Sequence, residues 1–170
     1  METTDFLKEI LPREGIYCLA RPATAQSGRS YYKHLTTESA DEMASKAMQW
    51  ARNGEDVYYA MASLKDHRVF DPQKGESGGY RVRTKANIAA LRCVFFELDV
   101  LRPDELEEAT EDELARKYTG RKEALEATKD FVKMLGWPAP MIISSGWGFH
   151  LYWLLEDETE PSKYEVMAKK

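Results

Sequence analysis

Two carboxylates two residues apart, in Val94-Phe95-Phe96-Glu97-Leu98-Asp99-Val100, are the side chains of this sequence best suited to chemistry. Side chains alternate along an extended strand, so Glu97 and Asp99 share a face, with Cα atoms roughly 6.5 Å apart. Val94, Phe96, Leu98 and Val100 then form an apolar row on the other face, as a core-facing row should. If the strand is buried, two adjacent anions repel one another and lose hydration, and a divalent cation between them is the simplest remedy. The competing arrangement is a strand end or sheet edge where both are merely solvated. Spacing alone does not separate the two.

A second stretch, Ser144-Ser145-Gly146-Trp147-Gly148-Phe149-His150-Leu151-Tyr152-Trp153, adds a hydroxyl and an imidazole. Met141-Ile142-Ile143 and residues 149–155 are both strand-like, and Gly146-Trp147-Gly148 between them predicts a hairpin. Ser145 and His150 then flank one tip, where the loop amides, a hydroxyl and an imidazole together suit a phosphate group. A lone histidine in an apolar strand is more often a hydrogen-bonded core residue. Trp147 at the tip suits stacking on a base, with packing under the loop as the alternative.

The order hydrophobic-Glu97-x-Asp99-hydrophobic, helix, then Ser145-Gly-x-Gly-x-His150-x-Tyr152-Trp153 resembles the catalytic domain of archaeo-eukaryotic-type primases. It is most similar to the phage and plasmid primase-polymerase branch. Arg83-Thr84-Lys85-Ala86-Asn87-Ile88, Lys117-Tyr118 and the helix ending in Gly136-Trp137-Pro138-Ala139-Pro140 extend the resemblance over roughly residues 80–164, about half the chain. It implies a DNA primase/polymerase domain of a mobile-element replication protein. Such a domain transfers nucleotides to a 3′-hydroxyl with two Mg²⁺ or Mn²⁺ ions. Glu97 and Asp99 are the implied metal ligands and, with His150, the implied catalytic residues. Ser145, Gly146, Gly148 and His150 are the implied nucleotide-binding residues, with Arg83 and Lys85 as weaker candidates for phosphate or template; a surface salt bridge explains those two equally well. Asn87 is weaker still, since it suits capping the helix that follows. The implied partners are a DNA template, nucleoside triphosphates and a helicase or ATPase domain C-terminal to these residues.

Two departures qualify the resemblance. The family's first motif is usually Asp-x-Asp, whereas Glu97 adds a methylene. Its third motif, a further acidic residue on a strand after the next helix, is not found before Lys170, and Glu156, Asp157, Glu158 and Glu160 look like an exposed acidic turn. The chain therefore reads as the front part of a larger primase, weak or inactive alone. Two other classes stay open: a non-catalytic nucleic-acid or nucleotide-binding module, and a metal-dependent nuclease.

The elements expected to position these residues form an α+β fold. Residues 4–11 read as a helix, 15–20 and 31–35 as strands, and Thr37-Glu38-Ser39-Ala40 as the start of a helix with Met43, Ala47 and Trp50 inward. Residues 57–62 read as one strand. The Pro- and Gly-rich stretch 71–80 predicts a boundary between an N-terminal α/β module, residues 1–75, and a motif-bearing module, residues 76–170. The second module reads as an incomplete RNA-recognition-like or ferredoxin-like βαββ unit with a mixed or antiparallel sheet. Leu125, Thr128, Val132 and Leu135 mark the core face of its long helix.

Composition fits a globular domain, with 43% hydrophobic residues among 170. The sequence shows neither an apolar run approaching the roughly 20 residues of a membrane span nor the basic start of a signal peptide, so a cytoplasmic protein of a bacterial or phage-infected cell is expected. Cys18 and Cys93 sit in apolar runs and read as buried thiols. A net charge of −5 argues against a broad nucleic-acid surface. Much of the acid, however, lies in residues 104–113, a predicted solvated insert. Arg81, Arg83, Lys85, Arg92, Lys117, Arg121 and Lys122 flank it, which leaves room for a local basic groove.

Overall fold

The computed structural model describes residues 1–72 and 79–167. The chain is α+β, and its contacts divide it into two units, Met1–Arg92 with Leu155–Lys170, and Cys93–Leu154. The module boundary expected between residues 75 and 76 lies outside the described residues.

In the first unit, helix α1 (Thr3–Ile10) buries Leu7 and Ile10. Strands β1 (Tyr17–Thr24) and β2 (Ser30–Thr37) form an antiparallel hairpin running from Tyr17↔Thr37 to Thr24↔Ser30. Helix α2 (Ala40–Arg52) starts where the Ser39 hydroxyl accepts the Glu42 amide at 3.2 Å, with Asp41 and Glu42 at the positive end of its dipole. It buries Met43, Ala44 and Trp50. The single strand expected over residues 57–62 is two: β3 (Tyr58–Tyr59) beside β1, and β4 (Ala62–Leu64), which joins a different sheet. The reason lies in the pairing. The Ala60 amide still bonds Cys18, but by Leu64 the partner is Ile16, before β1 begins. Strands β5 (Val69–Asp71) and β6 (Gly79–Arg81) pair with each other.

Asn87 closes this unit. Its fully buried carboxamide donates to the carbonyls of Asp66 and Val82 at 2.9 and 2.8 Å and accepts the Asp66 amide at 3.1 Å. Its role is to satisfy buried backbone, and the cap is Thr84, which accepts the Asn87 amide. Cys18 and Cys93 are both buried, and burial pushes the Cys18 thiol up to about 11.

Strand β7 (Ile88–Leu98) carries the chain into the second unit. There α3 (Pro103–Leu106) and α4 (Glu111–Arg116) hold the acidic run on exposed surface, and α5 (Arg121–Leu135) follows. Gly136, at φ +64°, ends α5, and the Trp137 amide returns to Val132. Strands β8 (Met141–Ser144) and β9 (Phe149–Thr159) form the predicted hairpin, in register from Met141↔Tyr152 to Ser144↔Phe149. The chain ends its described part in α6 (Pro161–Met167) of the first unit. The four-stranded sheet has the order β4-β7-β9-β8. With α5 between β7 and β8, the order β7-β9-β8 is that of a βαββ unit.

One sheet face packs on α5. Val94, Leu98, Val100, Phe149, Leu151 and Trp153 meet Ala124, Leu125, Phe131 and Val132. Phe96 joins this side through Phe131 and Trp153, at ring separations of 5.7 and 5.5 Å, while remaining 40% exposed. Leu135 is exposed, contrary to the expected stripe, because the inward positions follow Ala124, Thr128 and Phe131 round the helix. The opposite face, by strand alternation, carries Phe95, Glu97, His150 and Tyr152.

Candidate functional site

Strand β7 ends at Leu98, so Glu97 is its penultimate residue and Asp99 lies just beyond it. Both are exposed. Of the two arrangements that the spacing leaves open, this is the strand-end one, and desolvation does not by itself force a cation between them. Asp99 is nonetheless fixed through its backbone. Its carbonyl accepts the Tyr118 amide at 2.8 Å, and the Leu101 amide donates to Tyr118 at 2.9 Å, a parallel bridge across Val100 and Tyr118.

A cleft of about 370 Å³ opens here, lined by Glu97, Asp99 and Glu105, by Arg102 and Lys117, and by Ser145, Trp147, Gly148 and His150, with Val100 at its floor. It thus brings together five of the residues singled out from two distant stretches of sequence, Glu97, Asp99, Ser145, Gly148 and His150, while Gly146 is not among those lining it. His150 Nε2 lies 3.4 Å from Glu97 Oε1, and its Nδ1 is 3.4 Å from the Tyr152 hydroxyl. Phe95 packs edge-on against the imidazole at 5.2 Å. The ring is therefore oriented on three sides yet still opens to the cleft. Trp147 is 48% exposed at the tip, so it is not tucked beneath the loop. Arg83 and Lys85 belong to the other unit and are not among the residues lining this cleft; Lys85 is ion-paired with Glu165.

The tip is built by close packing and by one arginine. Gly148 has no room for a side chain, since a Cβ there would stand 2.2 Å from the Leu98 carbonyl oxygen. Gly146 has φ +99°, which L side chains rarely adopt. The Ser145 amide donates to the Gly148 carbonyl at 3.2 Å. Arg121, the first residue of α5, donates to the carbonyls of Gly146 and Trp147 and to the Ser144 hydroxyl, the last at 3.2 Å. Its guanidinium also lies 4.2 Å from the Phe149 ring centre.

A trans peptide points its N–H opposite to its C=O. With the Gly146 and Trp147 carbonyls turned onto Arg121, the Trp147 and Gly148 amides point away from it. Neither amide, nor that of Gly146, has a carbonyl partner among the described residues. The start of α5 is itself fixed by Glu123, which accepts the Thr119 hydroxyl and amide at 2.6 and 2.9 Å; these bonds hold its carboxyl below the usual range. Sequence reading treated Arg121 as one more basic surface residue. Its position at the helix start, opposite a Gly-x-Gly tip, was the available signal.

Lys117 is the second residue the sequence underplayed. Its neighbour's pairing with Asp99 holds it in the cleft, and it forms no ion pair among the described residues. Arg102, by contrast, stands 3.8 Å from Glu105.

The donor set suits a hard divalent cation, since Glu97 and Asp99 offer carboxylate oxygens beside an open polar cleft. Among the described residues no group of three or more His, Cys, Asp or Glu side chains could hold a metal ion. No helix is long and apolar enough to cross a membrane among the described residues. No family model, curated protein or solved structure matches the chain.

Proposed function

We propose that the Cys93–Leu154 unit is the nucleotidyl-transfer centre of a DNA primase-polymerase, acting on nucleoside triphosphates over a DNA template with Mg²⁺ or Mn²⁺. The observation that carries this reading is that one cleft is lined by Glu97, Asp99, Ser145 and His150, beside a tip whose Gly146, Trp147 and Gly148 amides have no carbonyl partner among the described residues. Glu97 and Asp99 would hold the metal, which when bound neutralises phosphate charge and activates the attacking 3′-hydroxyl. The Trp147 and Gly148 amides and the Ser145 hydroxyl donate to phosphate oxygens. His150 adds a donor and, protonated, a positive charge. Lys117 supplies a further cation on the Asp99 side. Trp147, exposed at the rim, offers its indole face to a base. Arg121 holds the tip in shape without touching substrate.

A non-catalytic nucleotide-binding module is the second reading, favoured by the small number of metal ligands that the described residues offer. Product analysis separates these readings and a nuclease. The chain is incubated with an end-labelled primer-template, deoxynucleoside triphosphates and Mn²⁺. Longer strands support nucleotidyl transfer, and shorter ones support a nuclease. Unchanged strands together with metal-dependent nucleotide binding support the binding module.

A further inference from the structure

The first unit carries a surface that the cleft chemistry does not use. Residues 15–37 contain no Asp or Glu, in a chain with 29 acidic residues, yet they include Arg21, Arg29 and Lys33. This stretch is the β1–β2 hairpin with the residues just before it. Arg21 is committed to Glu55 and to the Trp50 ring, 5.1 Å away. Arg29 and Lys33 form no ion pair among the described residues. In a protein of net charge −5, Arg29 and Lys33 are thus local positive charges on an acid-free hairpin.

Register sets which side chains share a face. Ala20 pairs with both His34 and Tyr58, and Pro22 pairs with Tyr32. Tyr32, His34 and Tyr58 therefore stand on one face of the β2-β1-β3 sheet. Tyr32 and Tyr58 are 47% and 45% exposed, with ring centres 5.5 Å apart at 88°. An edge-to-face pair of this kind is rigid, yet nearly half of each ring remains in water. The Arg83 guanidinium lies 6.0 Å from the Tyr32 ring centre, and Arg83 is exposed and forms no ion pair among the described residues. Its field reaches His34, whose imidazole is held below its ordinary range by burial first and by Arg83 second. Tyr32 first, and Asp56 second, raise the Tyr58 hydroxyl.

We infer that Tyr32, Tyr58 and Arg83 form a contact surface for single-stranded DNA, with unpaired bases stacking on the two rings and the phosphate backbone following Arg83 toward Arg29. Exposed rings interleaved with cations are what a sequence-tolerant single-strand surface requires, because every base has a stacking face and every linkage a phosphate. A duplex, with its bases already stacked, cannot use the rings. This deepens the reading of a template-directed enzyme by giving the template strand a place in the first unit, and so it rests on that reading.

The test is fluorescence anisotropy of labelled oligo(dT) with the whole chain at low salt. Wild type is expected to bind oligo(dT) more tightly than a duplex of equal length. Tyr32→Ala/Tyr58→Ala is expected to bind at least about tenfold more weakly, while Tyr32→Phe/Tyr58→Phe retains affinity. Arg83→Ala should weaken binding and lower the salt slope by about one. Unchanged thermal melts show that these exposed substitutions leave the fold intact. Alanine variants that bind oligo(dT) as wild type does, or a wild type that fails to bind it, overturn the proposal. Mn²⁺ calorimetry on the same proteins keeps the two readings apart. Tyrosine-dependent DNA binding without Mn²⁺ binding contradicts the catalytic reading alone. Mn²⁺ binding with tyrosine-independent DNA binding contradicts this one alone.

Discussion

His150 Nε2 lies 3.4 Å from Glu97 Oε1, linking the hairpin strand β9 to the strand β7 that carries the acidic pair. The imidazole is 28% exposed and the carboxylate 55%. An exposed pair of this kind adds little to stability, because solvent screens it and both side chains lose freedom.

A histidine that serves a ligand rather than the core should be removable. His150→Ala is expected to weaken triphosphate binding while changing stability by no more than about 1 kcal/mol. A stability loss of about 2–5 kcal/mol with unchanged affinity would return His150 to the core. Calorimetry and thermal melts decide.

Gly148→Ala tests the close packing beneath the tip. A Cβ 2.2 Å from the Leu98 carbonyl must displace backbone, not a flexible side chain. The expected cost is about 1–3 kcal/mol, typical of forced overpacking. Glu97 and Asp99 flank Leu98, so nucleotide affinity should fall as well. Gly146→Ala forces a strained φ but meets open space, and it should leave β7 undisturbed.

Arg121→Ala should release the Gly146 and Trp147 carbonyls and let the tip peptides rotate. The expected stability loss is about 1–2 kcal/mol, in keeping with charged hydrogen bonds at a partly exposed site. Hydrogen exchange at the Ser145 amide, which donates to the Gly148 carbonyl, should accelerate while α5 stays protected. Arg121→Lys, which cannot span two carbonyls and a hydroxyl, should restore only part of the effect.

How much of this was legible in the sequence follows from which interactions are local. The β8–β9 hairpin was, because Gly146 and Gly148 sit between two apolar runs. So were the Ser39 cap of α2 and the shared face of Glu97 and Asp99, which need no information beyond a few residues. The end of β7 at Leu98 was not. It depends on Asp99 and Leu101 pairing with Tyr118, almost twenty residues on, after an acidic insert of unreadable path. The splitting of residues 57–62 into two strands was hidden for the same reason, since it depends on β1 and β7 as competing partners. Arg121 was hard to single out because two of its partners are carbonyls, which every residue has, and only its place at a helix start opposite a Gly-x-Gly tip marks it.

His34 predicts a pH dependence of stability in the first unit. Burial and Arg83 hold its folded-state pKa below the ordinary 6.5. The unfolded chain therefore binds the proton more readily, and stability present above about pH 6.5 declines as the pH falls. Melting temperature should drop from pH 7.5 to about pH 5.5, and His34→Gln should flatten that slope. An identical slope in the variant would assign the effect elsewhere.

Under the proposed function, Glu97 and Asp99 hold a divalent ion whose remaining ligands come from a triphosphate. The most direct measurement is calorimetric titration of a deoxynucleoside triphosphate into the chain with and without Mn²⁺, for wild type and Asp99→Asn. Asparagine keeps the shape and removes the charge, so the fold should be unaffected. The account predicts that Mn²⁺ tightens nucleotide binding to wild type by at least about tenfold, a coupling of roughly 1.4 kcal/mol, and that Asp99→Asn abolishes this coupling. Nucleotide binding that ignores Mn²⁺ in wild type, or coupling that persists in Asp99→Asn, would contradict it.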